Sequence, residues 1–301
     1  MLRIGISIGT SLPRDHRGGP DLVVEQARAA RRAGLDTLSV GDHHATGPAP
    51  YLQNAPMLGR LLAEWDDRPA GCLFLVPLWN PVLMAEQIAT LAAIAAGPFI
   101  IQTGLGGGFR QFRGMGVDLA DRVLRLEEGI RVVQALLTGE TADSAVWGIE
   151  KASIAPLPSR GVEWWVGAGA PRGIDRAARV GDCWYANADL TPDRAREAID
   201  RYREACARHD RHPVRIPIRR DILIADRAAD AEEVGDALIE GGYRGFERSA
   251  VTYGDPAHVA EQLAAYGEMG FTDIIIRTMT AEPTTAVRTV ELAGEVRTRL
   301  Q

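Results

Sequence analysis

Cysteine is scarce in this chain. Cys72, Cys183 and Cys206 are the only three in 301 residues, far apart and odd in number. They make no metal-ligand spacing and no disulfide framework, which fits a reducing cytoplasm. Cys72 and Cys183 lie in apolar strand-like runs and read as small core residues. A basic excess is missing too. The net charge is −6, so nothing points to nucleic acid. The longest apolar stretch, residues 88–101, is broken by Gly97-Pro98 and is no membrane span. Met1 leads straight into Leu2-Arg3-Ile4-Gly5-Ile6-Ser7-Ile8. No charged region precedes an apolar one there, so we expect no signal peptide and a cytoplasmic location. A G-x-S-x-G elbow and a phosphate-binding P-loop are both lacking. So is any linker or low-complexity segment, and residues 1–301 read as a single domain.

What is present is alternation. Strand-like runs at 3–8, 35–40, 71–76, 99–104, 163–167, 182–186, 216–225 and 272–277 are separated by helix-like runs. Several are almost wholly apolar, as expected of parallel strands covered on both faces. Met84, Ile88, Leu91 and Ala95 share one helical face. Val123, Leu126, Ile130, Val133 and Leu137 form another, with Gly139 placed to end the helix. Asn80-Pro81, Thr191-Pro192 and Asp255-Pro256 each read as a cap followed by proline in the first turn. Eight βα alternations predict an α/β fold, a closed (β/α)8 TIM barrel with insertions at 140–161 and 241–254. The rival is an open doubly wound sheet. Against it, the first βα link reads Gly9-Thr10-Ser11-Leu12-Pro13 and lacks G-x-G-x-x-G.

In a barrel the chemistry gathers where strands end. The second strand ends at Gly41-Asp42-His43-His44, a carboxylate beside two imidazoles. Imidazole exchanges protons near neutral pH. An isolated His-His pair can equally be an ordinary loop. Glycine-rich turns follow the fourth strand (Gly104, Gly106, Gly107, Gly108) and the fifth (Gly167, Gly169, Ala170, Gly173). The second of these runs into a helix whose free N–H groups would attract a phosphate, with Arg172 adding charge. The bland reading is a tight turn that merely uses glycine. Arg110, Arg113 and Arg122 follow the first turn and could pair with anionic groups, or could be solvated surface charges. No second histidine cluster completes a metal site.

Taken together these motifs resemble the bacterial luciferase-like family of flavin- and deazaflavin (F420)-dependent oxidoreductases. The stretches that carry the resemblance are Ala33–Leu38 into Asp42-His43-His44, and Val76-Pro77-Leu78-Trp79-Asn80-Pro81 running on to Leu91. The loop at 104–116 with Arg122 and Leu136–Glu140 is a third, and Gly167–Gly169 with Arg176–Asp182 a fourth. They occur in the family's order almost end to end. The loop after the fourth strand is shorter than the family pattern.

The resemblance implies a luciferase-like variant barrel with the cofactor ring at the C-terminal mouth. It implies His43 as catalytic histidine, tuned by Asp42. Gly71, Cys72, Gly104, Gly106 and Gly107 would lie against the ring, with a non-proline cis peptide between Gly71 and Cys72. The phosphate would rest on Gly167, Gly169, Ala170 and Gly173, with Arg122 as charge partner. His44, Trp79, Asn80 and Trp184 would shape the substrate pocket, although the large aromatics could equally be packing residues. The first expectation is a monooxygenase using reduced FMN and oxygen on a small organic substrate; the alternative is an F420-dependent hydride-transfer enzyme. A non-catalytic flavin binder and a metal-assisted hydrolase using Asp42, His43 and His44 are further options. The family also suggests a separate flavin or F420 reductase as partner, and a homodimer. Leu58, Leu61, Leu62 and Trp65 are a candidate dimer face that could equally cover the barrel.

Overall fold

The computed structural model describes residues 1–11 and 19–301. Leu12 and Pro13 of the first βα link lie outside the described residues. Strand β1 (Arg3–Ile8) is hydrogen-bonded in parallel to β2 (Leu38–Val40) and to β11 (Asp273–Thr278), the last strand of the chain. From β2 the ladder continues through β3 (Ala70–Leu75), β4 (Phe99–Gly104), β7 (Val162–Ala168), β8 (Cys183–Ala186) and β9 (Pro217–Ile224), which pairs with β11. The β8–β9 seam closes through Ala186 and Ile218. The result is a closed eight-stranded parallel barrel, as the alternation predicts.

Helices α1 (Gly19–Arg32), α2 (Asn54–Leu62), α3 (Pro81–Ile94), α5 (Arg122–Leu137), α6 (Pro171–Val180), α7 (Pro192–Arg208), α8 (Ala228–Glu240), α9 (Pro256–Met269) and α10 (Pro283–Arg299) follow the strands. A short α4 (Phe109–Gly114) follows β4. The three X-Pro starts behave as read. Asn80 Oδ1 accepts from the Val82 and Leu83 N–H groups, Thr191 Oγ1 from Arg194, and Asp255 Oδ1 from His258. A fourth, Glu282-Pro283, starts α10 with the Glu282 carboxylate accepting from Thr284 and Thr285. Gly139 has φ +85°, the left-handed conformation suited to a residue just past a helix.

Strand β2 begins at Leu38 rather than at residue 35. The reason is Asp36, whose carboxylate takes the Ile4 N–H (2.8 Å) in place of a backbone carbonyl and also binds Arg297. Both expected insertions exist. The first holds an antiparallel hairpin, β5 (Ala142–Ser144) with β6 (Ile149–Ala152). The second ends in a strand the sequence reading did not expect, β10 (Val251–Gly254), parallel to β9. β9 thus carries β8 at its start and β10 at its end along one edge. Above the Ala186–Ile218 pair the β8–β9 seam opens, and the 241–250 segment enters the barrel mouth there.

Alternation along each strand sorts the interior from the outer core. Ile4, Ile6, Val40, Phe74, Trp164 and Ile276 face outward into the main core beneath the helices. Ile100, Trp165, Cys183, Tyr185 and Ile275 form a separate cluster inside the barrel. Glycines make room for it: a Cβ on Gly5 would lie 2.8 Å from Ile275 Cδ1.

Candidate active site

At the C-terminal ends of the strands lies a cleft with two lobes. The first, about 610 Å3, includes Ser7, Asp42, His43, His44, Tyr51, Gln102, Gly107, Gly108, Arg110, Gln111 and Arg277. The second, about 440 Å3, includes Gly104, Gly106, Gly167, Gly169, Ala170, Gly173, Arg176 and Asn187. Leu73, Tyr185, Arg219 and Arg244 border both, so the lobes are two parts of one cleft.

Asp42 is buried and fixed. Its Oδ2 accepts from the Leu75 N–H (2.7 Å) and from Trp79 Nε1 (2.8 Å), and His44 Nε2 lies 3.1 Å from Oδ1. The His44 ring is therefore held by the carboxylate, and its backbone N–H donates to Gln111 Oε1 at 2.8 Å. Gln111 in turn donates to the Gly107 carbonyl, joining the histidine turn to the glycine turn. His43 is different. Its side chain is exposed in the first lobe, with Tyr51 beside it at 5.7 Å between ring centroids. Burial lowers its pKa; Asp42 opposes that, while His44, Arg244 and Arg277 add to it. His43 is held below its ordinary 6.5, so its neutral form is favoured at pH 7.

In the second lobe Ala170 starts α6 without any side-chain cap, and Pro171 fills the first position. Pro171 has no N–H and the Gly173 N–H donates to the Ala170 carbonyl (2.8 Å), so the first turn keeps the Arg172 N–H for an anion. Gly169 permits close approach of Asn187: a Cβ there would lie 2.6 Å from its Nδ2. Arg176, on the same helix, lines this lobe with Glu127 at 2.7 Å. Two buried polar atoms of cleft-lining residues, Gln102 Nε2 and Tyr185 Oη, have no partner among the described residues. A polar, acceptor-rich ring system fits such a lining.

Several expectations need correction. Arg122 lines neither lobe; it bonds the Leu119 carbonyl at 2.9 Å, and Arg176 occupies the place expected of it. Gly71 and Cys72 do not line the cleft. Cys72 is fully buried toward the helices, and Gly71 is needed where the Ile100 carbonyl presses against it. The only cis bonds among the described residues are Gly47-Pro48 and Ala155-Pro156, so Gly71–Cys72 is trans, within regular parallel pairing. Trp184 faces the outer core and donates to the Ala168 carbonyl (2.7 Å); its neighbour Tyr185 is the inward residue. Trp79 supports Asp42 and Asn80 caps α3, and neither lines the cleft. Leu58, Leu61 and Trp65 are buried in the core, which removes them as an exposed dimer face. Arg110 lines the first lobe, Arg113 a separate surface hollow, and Arg172 is exposed outside both lobes. Among the described residues no group of three or more His, Cys, Asp or Glu could hold a metal ion. Likewise no helix is long and apolar enough to cross a membrane.

The residues missed from sequence are Arg219 and Asp221 on the inner face of β9; Arg277, a strand-end residue of the last run, joins them. Asp221 and Arg277 are register partners, and Arg219 sits two residues below Asp221. Arg219 donates to both carboxylate oxygens of Asp221 at 2.8 and 3.1 Å. Tyr243 Oη donates to the same carboxylate (2.8 Å), and Arg244 Nε stands 3.7 Å from it. Burial pushes the Asp221 carboxyl up, but Arg219, Arg277 and Arg244 outweigh it and hold it below the usual range. A period-two pattern of charge within an apolar strand was the available signal.

A closed parallel barrel with a polar two-lobed cleft at its upper rim defines a TIM-barrel protein built to receive a small ligand. The chain belongs to the luciferase-like monooxygenase family, whose family model matches residues 2–250. F420-dependent glucose-6-phosphate dehydrogenase of Nocardia farcinica is 28% identical over 177 residues, 54% of this chain and 52% of that protein. This chain thus spans about half the length of that relative. The enzyme of the same name from Beutenbergia cavernae is 26% identical over 91% of each chain. Among solved structures, an F420-dependent secondary alcohol dehydrogenase in complex with an F420-acetone adduct superposes with a TM-score of 0.85. It is 16% identical over 100% of this chain and 99% of that one. The oxygenating constituent of 3,6-diketocamphane monooxygenase from Pseudomonas putida, in complex with FMN, gives 0.82 at 15% identity over 100% and 99%. At those identities the structural likeness carries the fold.

Proposed function

We propose that this protein is an oxidoreductase that binds coenzyme F420 in the two-lobed cleft and acts on a small molecule beside His43. The observation that carries it is the continuity of the cleft, with an uncapped helix start in one lobe and a favoured-neutral imidazole in the other. The Arg172 N–H at the α6 start, with Gly169 leaving room beside it, would hold the cofactor phosphate, and Leu73, Gln102 and Tyr185 border the space for its ring. When bound, a deazaflavin supplies hydride transfer and a flavin supplies oxygen activation. His43 Nε2 or Nδ1, neutral at pH 7, accepts the proton of a substrate hydroxyl or, once charged, returns it. Asp42 and His44, locked together, fix the turn that carries His43.

The relatives named as F420-dependent favour this reading. Reduced FMN with oxygen is the second reading, favoured by the FMN complex among the matching folds. Titrating the protein side by side with F420 and FMN, each oxidised and reduced, decides between them. F420 bound at least tenfold tighter supports the first; binding of neither overturns both. His43→Ala should lower turnover by about two to four orders of magnitude with cofactor still bound. Unchanged turnover removes His43 from the chemistry.

A further inference from the structure

Arg219, Arg244 and Arg277 all line the first lobe, and among the described residues Asp221 is the one carboxylate paired with them. Three positive charges against this one carboxylate leave an excess of positive charge on the cleft wall, where Arg219 and Arg277 are partly covered and Arg244 is open to solvent. Such an excess is costly away from water unless something answers it. Asp221 is already committed. Arg219 takes both of its oxygens, and Tyr243 donates to one of them. Arg277 has no hydrogen-bond acceptor among the described residues, and burial together with the Arg219 charge lowers its pKa. Arg244 reaches the cluster from the segment before β10, with φ +50° and ψ 10°. A left-handed conformation at a non-glycine residue is strained and persists where surrounding structure enforces it. Beside the arginines stand two buried donors without partners, Gln102 Nε2 and Tyr185 Oη, with Gln102 1% and Tyr185 9% exposed.

We propose that this cluster is an anion seat and that the substrate is a small organic molecule bearing a carboxylate or phosphate group, held by Arg219, Arg244 and Arg277. The inference rests on the oxidoreductase reading for the word substrate, but the anion seat stands without it. Guanidinium groups pair with carboxylate and phosphate in a bidentate fork, which a set of three can satisfy from several sides. Tyr185 and Gln102 border the ring space and are left to the cofactor. The cofactor phosphate has its own place at the uncapped α6 start, so the arginines remain for the molecule being transformed.

The test is calorimetric titration of the whole protein with inorganic phosphate and, separately, with acetate, at constant ionic strength set by chloride. Arg277→Gln and Arg244→Gln are measured in parallel, the second lying on a surface segment where folding is not at risk. Each substitution should weaken phosphate or acetate binding at least tenfold, and Arg277→Gln, which lies in the first lobe and not the second, should leave F420 or FMN affinity within twofold. The preferred anion tells which group the substrate carries. Phosphate held at the α6 turn would be indifferent to both substitutions, and that result overturns the proposal. Equal loss of cofactor and anion in the variants also overturns it, by assigning the arginines to the cofactor. If no cofactor binds the wild type but the anion effect persists, the oxidoreductase reading fails and the anion seat remains.

Discussion

Arg219 and Arg220 are neighbours in β9 and are put to opposite uses. Arg220 points outward and is fully buried. It donates to the Leu190 carbonyl (2.7 Å), the Ala250 carbonyl and, at 3.4 Å, the Ala188 carbonyl. Its guanidinium lies 4.8 Å from the centre of the Tyr266 ring. No carboxylate takes part in these contacts; backbone oxygens take its two terminal nitrogens beside a ring face, and Nε has no partner among the described residues. Arg219 points inward, grips Asp221 and borders open space next to two more cations. A buried arginine whose donors end on carbonyls is a strut. One that shares a single carboxylate with other cations and faces a cavity is a receptor. The alternation of one strand places the two roles a residue apart.

Removing the strut should have the largest effect on stability. Arg220→Met keeps the bulk but leaves the Leu190 and Ala250 carbonyls without donors. Each orphaned buried group costs about 1–3 kcal/mol, partly offset by no longer burying a cation, for a net loss of roughly 3 kcal/mol. Urea unfolding measures it. Anion affinity should stay put, because Arg220 touches neither lobe. If Arg220→Met weakens phosphate or acetate binding without loss of stability, the division between strut and receptor is wrong.

Asp42 makes a second, smaller contrast with Asp221. Both are buried carboxylates near the cleft, but Asp221 meets arginines and Asp42 meets neutral donors. Asp42→Ala strands the Leu75 N–H and the Trp79 indole N–H. The expected cost is about 2 kcal/mol, less if the indole turns to solvent. His44 loses its anchor as well. The expected signature is a lower urea midpoint together with a drop in turnover, since the turn carrying His43 loosens. A drop in stability with full turnover would make Asp42 a scaffold group only.

How much of this was legible beforehand depends on which face of a strand a residue takes. The strands themselves were readable, because apolar runs and proline-capped helices follow one another in strict order. The cleft lining at Asp42, His43, His44, Gly104, Gly167 and Gly169 was readable because strand ends gather at one rim. Trp184 was misplaced by one residue, and in a strand one residue is the opposite face. Arg277 is legible as a strand-end residue at the close of the last run, whereas Arg219 is hidden inside the run at 216–225 unless inward positions are sorted from outward ones. Arg122 was carried over by family motif, yet the helix start that holds it points its guanidinium to Leu119. Strand β10 is four residues long and follows an irregular segment, too short for any periodicity to announce.

The smallest effect concerns His43 and His44, adjacent imidazoles with unequal surroundings. His43 has its pKa lowered from 6.5, chiefly through burial, with His44, Arg244 and Arg277 contributing and Asp42 opposing. In the unfolded chain it titrates near 6.5. Between that value and its lower folded value the unfolded state binds more protons, so stability rises with pH across the window. The favourable contribution is complete above about 6.5 and is lost as pH falls through the folded pKa. The half-exposed setting keeps the change small. Proton NMR titration of the imidazole signals should show a midpoint below 6.5 that disappears in His43→Gln. Arg277→Gln should move that midpoint up, since it removes a repelling charge. A bound phosphate or acetate should move it the same way, and an anion that leaves the midpoint unmoved sits too far away to be the group held beside His43.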